Sequence, residues 1–212
     1  GLYGMIAGSV LKNYEQGQKF GELAARMNRK YNNIDLKAKL GLIIGGLIHH
    51  WRNPIAGNYE ILQTGYKEGR VSGDLLYTGY CAACLLYCMV TAGEPLDVVF
   101  RESHKYLEFL RRTRDLDAAQ TFIVEQRMVL NLQGMTDSTA SFGDESFSER
   151  EFVDHLNAIQ MKIPLSLYRI VKMRSLWLFG HWEQALEQAD LARLVADKSL
   201  GLPFSSDYDF YH

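Results

Sequence analysis

The stretch "LLYTGYCAACLLYCMVTAG", residues 75–93, runs for 19 positions without a charged side chain. A helix with no polar face must be covered on several sides. The length approaches that of a membrane span. Three tyrosines, two threonines and two glycines dilute the run, however, and the amphipathic segment 95–112 follows at once. The stretch therefore reads as a buried inner helix. All three cysteines of the chain, Cys81, Cys84 and Cys88, lie within it. At 100° per residue they fall on one helical face. A structural zinc site draws about four ligands, commonly from two separated pairs, and no second pair or histidine is present in the segment. A thioredoxin-type motif opens a helix after a strand, and no strand precedes this one. The cysteines read as small packing residues.

Other segments share this character. Leu36–Trp51, Leu116–Leu132 and Ile163–Phe179 are apolar nearly all round. Between them lie segments with one wet face and an apolar stripe at i, i+3, i+4, i+7. The stripes are Phe20, Leu23, Ala24, Met27, Tyr31; Ile55, Tyr59, Leu62, Tyr66; Leu96, Val99, Phe100, Tyr106, Leu107, Leu110; and Trp182, Ala185, Leu186, Ala189, Ala192, Ala196. Alternating inner and outer helices are the signature of stacked helix pairs. Breaks marked by Gly17, Asn53, Gly93, Gly134 and Gly180 are spaced 36, 40, 41 and 46 residues apart, looser than the ~34 of a regular tetratricopeptide repeat. Pro54 and Pro95 suit first-turn positions, Asp74 can cap the third inner helix, and Ser148 with Glu151 forms a capping box. The expected fold is all-α: a right-handed α-α superhelix, a tetratricopeptide-like solenoid of about five helix pairs with the start of a sixth. Residues 1–212 form one domain, and both ends read as cut from a longer chain. Residues 134–147, "GMTDSTASFGDESF", are an inserted surface loop of mobile character.

The 212 residues carry a net charge of -2, with pI near 6.3. Neither value has the basic bias of a nucleic-acid or membrane-surface binder. The expectation is no nucleic acid and no membrane partner. An odd number of cysteines confined to one helix fits a reducing cytoplasm.

No motif for catalysis emerges. Gly41, Gly45 and Gly46 in "GLIIGGLIHHW" permit close helix contact. No GK[ST] follows them, and HExxH, GxSxG and GxGxxG are all missing. His49 and His50 sit where a helix C-terminus favours imidazole. Glu125, Gln126 and Arg127 interrupt an otherwise apolar helix. They read either as a satisfied buried pair or as polar groups facing a concave groove. The acids of "GDESFSEREF" read as solvated loop and helix start. No metal or cofactor is expected.

The segment "WEQALEQADLA" after "LFGH" resembles a tetratricopeptide gap and second helix, with Gly180, Trp182, Ala185, Ala189 and Ala192 at matching spacing. With "IHHWRNP", "GYKEGRVSGDLLYTGY", "QRMVLNLQG" and "LWLFGHWEQAL", the chain resembles the helical-repeat region of large bacterial multi-domain signal-transduction kinases, the multi-sensor histidine and serine/threonine kinase family. The resemblance covers essentially the whole chain. In that family a kinase-like domain and an AAA-type predicted ATPase lie upstream, and GAF or PAS sensors, often with a histidine kinase, lie downstream. It implies a cytoplasmic, non-catalytic scaffold that binds a protein or peptide, or the flanking ATPase or kinase domains of its own chain. The repeat register nominates His50, Tyr80, Tyr87, Met128, Asn131, Arg174 and Trp177 as groove residues. The alternatives are a ligand- or inhibitor-sensing repeat domain of a transcriptional regulator and a helical enzyme built on His49 and His50.

Overall fold

The computed structural model describes residues 1–113, 116–194 and 201–212. Among these it contains eleven α-helices and no strand. The helices are α1 (Leu2–Ser9), α2 (Tyr14–Tyr31), α3 (Lys37–Leu47), α4 (Ala56–Ser72), α5 (Leu75–Ala92), α6 (Leu96–Thr113), α7 (Leu116–Leu132), α8 (Glu149–Ala158), α9 (Lys162–Leu178), α10 (Trp182–Arg193) and α11 (Ser205–Tyr211).

The helices sort into two layers by what they touch. In the inner layer α1, α3, α5, α7 and α9 each pack on the next, and α11 lies against α9. In the outer layer α2, α4 and α6 each bridge two successive inner helices, and α8 and α10 rest on α9. The helix that decides the fold is the most enclosed. In α5, Cys81, Ala82, Leu85, Leu86 and Cys88 are fully buried. By length and composition α5 could cross a membrane, but 61% of it is buried within the protein. Burial raises the thiol pKa of all three cysteines, Cys84 to about 12, so none is an activated thiolate. This matches their reading as packing residues.

Local signals set the helix ends. Asn13, Asp74 and Ser148 each accept a hydrogen bond from a backbone N–H three residues on, satisfying an otherwise orphan donor. Gly73 and Gly93 close α4 and α5 with φ of +78° and +83°, a conformation that costs glycine little. The segment expected as one helix, Leu36–Trp51, is shorter. It ends at Leu47 and continues as a 3₁₀ turn at His49–Trp51. The Trp51 indole donates to the Leu47 carbonyl and the Asn53 amide to that of His49. Those side chains take over the terminal acceptors, and the helix stops.

Small residues face inward more often than the apolar stripes suggest. In α2 the buried positions are Gly17 and Gly21, while Leu23, Met27 and Tyr31 are 40%, 52% and 70% exposed. A Cβ on Gly17 would sit 2.9 Å from the Gly4 carbonyl oxygen, and one on Gly4 would sit 2.8 Å from that of Gly17. Two glycine faces thus bring α1 and α2 into backbone contact. In α10 the alanines 185, 189 and 192 are buried against α9, and Trp182 and Leu186 are 67% and 55% exposed. Ala196 lies outside the described residues. Gly41 behaves as the sequence suggests: its Cβ would lie 2.6 Å from the Gly65 Cα, so α3 and α4 cross at bare backbone.

Candidate functional site

The chain's own residues 201–212 lie against the inner layer. Helix α11 packs on α9. Asp207 accepts a hydrogen bond from Arg174 at 3.0 Å, both side chains only 15% exposed. Tyr211 meets the Trp177 ring edge-on at 5.2 Å. Phe204, 4% exposed, meets Tyr87 of α5 at 6.1 Å. Tyr87 also interacts with Asp207, and burial pushes its phenol well above the ordinary value. Further along, Gly201 adopts φ +88° with the space for a side chain already taken by Ser9 of α1, and Leu47 of α3 lies in contact distance of it. Residues 201–212 therefore cross the inner face from α1 to α9.

Three of the seven nominated residues, Tyr87, Arg174 and Trp177, are brought together by this contact. Tyr80 lies on the same face of α5, near Tyr77 and beside the cavity described next. The other three have different surroundings. Met128 is 1% exposed and belongs to the core. Asn131 is fully buried, and its side chain is spent on the fold. His50 stacks tilted on Trp51 at 4.5 Å, with both ring nitrogens buried and unpartnered. Burial, and secondarily His49, lowers its pKa to about 4. His49 itself is held by Asn58 at 2.7 Å, and Asn58 donates to the Gly45 carbonyl. Among the described residues no three His, Cys, Asp or Glu side chains converge to hold a metal ion.

Under residues 202–204 lies a cavity of about 320 Å³, walled by α1, α3, α5, α7 and α9. Its lining includes Met5, Leu42, Tyr80, Tyr87, Phe204 and Glu125. Glu125 is 2% exposed, and its Oε2 has no hydrogen-bond partner among the described residues. Burial raises its pKa well above the ordinary carboxyl value, against a hydrogen bond from the Tyr87 main chain. The acid and base of "EQR" do not pair with one another. Two positions apart on a helix they point to nearly opposite sides. Glu125 faces the cavity, and Arg127 faces the 134–147 loop.

That loop is tied down rather than loose. Arg127 donates to the Phe142 carbonyl at 2.7 Å and to Asp144 at 2.6 Å. Asn131 shares its amide hydrogens among Thr136 Oγ1, Ser138 O and Ser141 O at 2.9–3.1 Å, and it accepts from Ser175 Oγ. Phe142, 1% exposed, is the loop's own anchor. Glu149 is not a solvated acid at a helix start. Its carboxylate takes hydrogen bonds from Lys172 at 2.6 Å, Tyr168 at 2.8 Å and the Phe142 N–H at 2.9 Å. Lys172 is 5% exposed, and burial lowers its pKa against the pull of Glu149. Lys172, a charged residue inside the run 163–179 that reads as an inner helix, is the sequence feature from which an inward-facing acid could have been inferred.

Over 135 residues the chain is 24% identical to the "Hybrid signal transduction histidine kinase G" of Dictyostelium discoideum, a match covering 63% of this chain. The match spans 4% of that protein's length. No family model matches the chain, and no solved structure does. The similarity supports a signal-transduction kinase context. It lies in Dictyostelium discoideum, so it lends nothing to a bacterial source, and it bears on neither an AAA-type ATPase nor the tetratricopeptide class of the repeats.

Proposed function

We propose that the chain is a non-catalytic regulatory scaffold within a signal-transduction kinase. Its helix pairs form a right-handed, tetratricopeptide-like superhelix whose inner face holds polypeptide. The occupant is a partner protein or a neighbouring domain of the same chain, such as a flanking ATPase or kinase domain. The observation that carries this reading is the seating of residues 201–212. An aromatic, a cation and a second aromatic from two inner helices receive Phe204, Asp207 and Tyr211. That is how a groove reads a helical segment: buried aromatic anchors with one fixed charge pair. The similarity to a hybrid histidine kinase supplies the context.

The test uses the chain ending at Leu194 and a fluorescent peptide of residues 201–212. Far-UV circular dichroism first establishes that the shortened chain is helical. The expected result is saturable binding in trans, weakened about tenfold by Arg174→Ala, since a largely buried charge pair contributes roughly 1–3 kcal/mol. A helical array that does not bind the peptide, or binds it equally well without Arg174, would refute the groove assignment.

A further inference from the structure

We infer that the cavity beneath residues 202–204 is a binding site for a small, uncharged, largely apolar molecule carrying one hydrogen-bond acceptor oxygen, which Glu125 Oε2 receives. Its volume of about 320 Å³ is at the small end of the ~300–1,000 Å³ typical of ligand pockets. It suits a molecule of roughly ten non-hydrogen atoms better than a peptide.

The wall chemistry narrows the ligand. Apart from Glu125, the side chains around the void are aliphatic, aromatic, hydroxyl or thiol groups, with Asp117 the one other carboxylate, and that residue is exposed. Among the described residues no lysine, arginine or histidine lines it. An anionic molecule such as a carboxylate would find no cation among the described lining residues to offset the loss of its hydration, which disfavours it. The cavity offers almost nothing to hydrate a carboxyl, yet a carboxyl is there with a bare oxygen. A buried polar atom without a partner is costly, and Leu or Met would fill the same helical position without that cost. A carboxyl in apolar surroundings with no cation nearby stays protonated. It then presents an O–H to the void, and an acceptor oxygen on an otherwise apolar ligand satisfies it. An ammonium would have to form an ion pair with the ionised carboxylate in apolar surroundings, at the desolvation cost of both charges.

The position of the site also gives it a consequence. Phe204 forms part of both the cavity wall and the contact with Tyr87. Occupancy is therefore read by the segment that covers the inner face.

The experiment uses the full chain with methyl-labelled methionine, whose Met5 signal reports on the wall. The probes are 2-nonanone, nonane, nonylamine and nonanoate. The expected result is saturable shifting of the Met5 signal by 2-nonanone, with at least tenfold weaker binding of nonane. Glu125→Gln, which keeps an N–H donor, holds 2-nonanone within about threefold of the parent. Glu125→Leu binds it tenfold more weakly and no longer distinguishes it from nonane. Circular dichroism verifies that both variants are helical. Three results would overturn the inference: no saturable shift with 2-nonanone, equal affinity for nonane and 2-nonanone in the parent chain, or preference for nonylamine or nonanoate. The peptide experiment above is scored separately, so failure of one is not failure of the other.

Discussion

Glu125 and Arg127 show what one residue's surroundings decide. The sequence places an acid and a base two positions apart in an apolar helix, and pairing them is the natural guess. Helical geometry sends them to opposite sides, so Arg127 finds Asp144 and Glu125 finds an apolar void. Composition made the polar interruption legible. The partners, 15 and 17 residues away for Arg127, were not, because they belong to a loop whose path no local propensity dictates. The consequence for Glu125 is a definite pH dependence. Its folded pKa is raised above the ordinary 4.5, so the folded state holds a proton that the unfolded chain has released. Stability is full below about pH 4.5 and falls as pH rises toward the folded value, by up to about 1.4 kcal/mol per pH unit. Glu125→Gln removes this slope. Urea titrations at pH 4.5 and pH 7.5 are expected to give the variant a relative gain at the higher pH, and a constant difference between the two chains would contradict it.

At the scale of the element, long periodic helices were readable and the short, glycine-bearing α1 was not. Helix α5 has a pattern that only burial explains. Helix α1, "LYGMIAGS", has glycine at positions 4 and 8, which lowers helix propensity and hides a helix whose purpose is close approach to α2. The same physics separates two substitutions that look alike. Alanine for glycine inside a helix gains about 1 kcal/mol in propensity. At Gly8 the added Cβ meets nothing nearer than 3.8 Å, so Gly8→Ala is expected to stabilise by about 0.5–1 kcal/mol. At Gly41 the Cβ would lie 2.6 Å from backbone, and overpacking of about 1–3 kcal/mol outweighs the gain. Thermal or urea unfolding is expected to move the two variants in opposite directions. The 134–147 loop makes a similar contrast. Its Gly, Ser, Thr and Asp content marks it as a loop, but not as a pinned one, because the pins are Arg127, Asn131 and Glu149 on helices before and after it. Asn131→Ala removes the bonds to Thr136, Ser138 and Ser141 at once. It is expected to cost about 2–3 kcal/mol and to open a protease-sensitive site within 134–147. Unchanged limited proteolysis would mean that Phe142 and Glu149 hold the loop without it.

For the whole molecule, the two-layer arrangement followed from alternation of fully apolar and one-faced segments, since only stacking covers both kinds. What the sequence did not reveal is that residues 201–212 turn back over the inner layer. Phe204 and Tyr87 are far apart in the chain, and long-range contacts of this sort leave no periodic trace. The repeat register nominated Tyr87, Arg174 and Trp177, residues at equivalent positions of inner helices, and all three touch residues 201–212. Met128 and Asn131, nominated by the same register, face the core and the 134–147 loop. The central claim is that the inner face holds a polypeptide segment by specific contacts. The most direct measurement is a double-mutant cycle on the intact chain with Arg174→Ala, Asp207→Ala and both together, read by urea unfolding. Because the pair is largely buried, the predicted coupling is about 1–2 kcal/mol. Strictly additive effects would place Asp207 away from Arg174 and contradict the account.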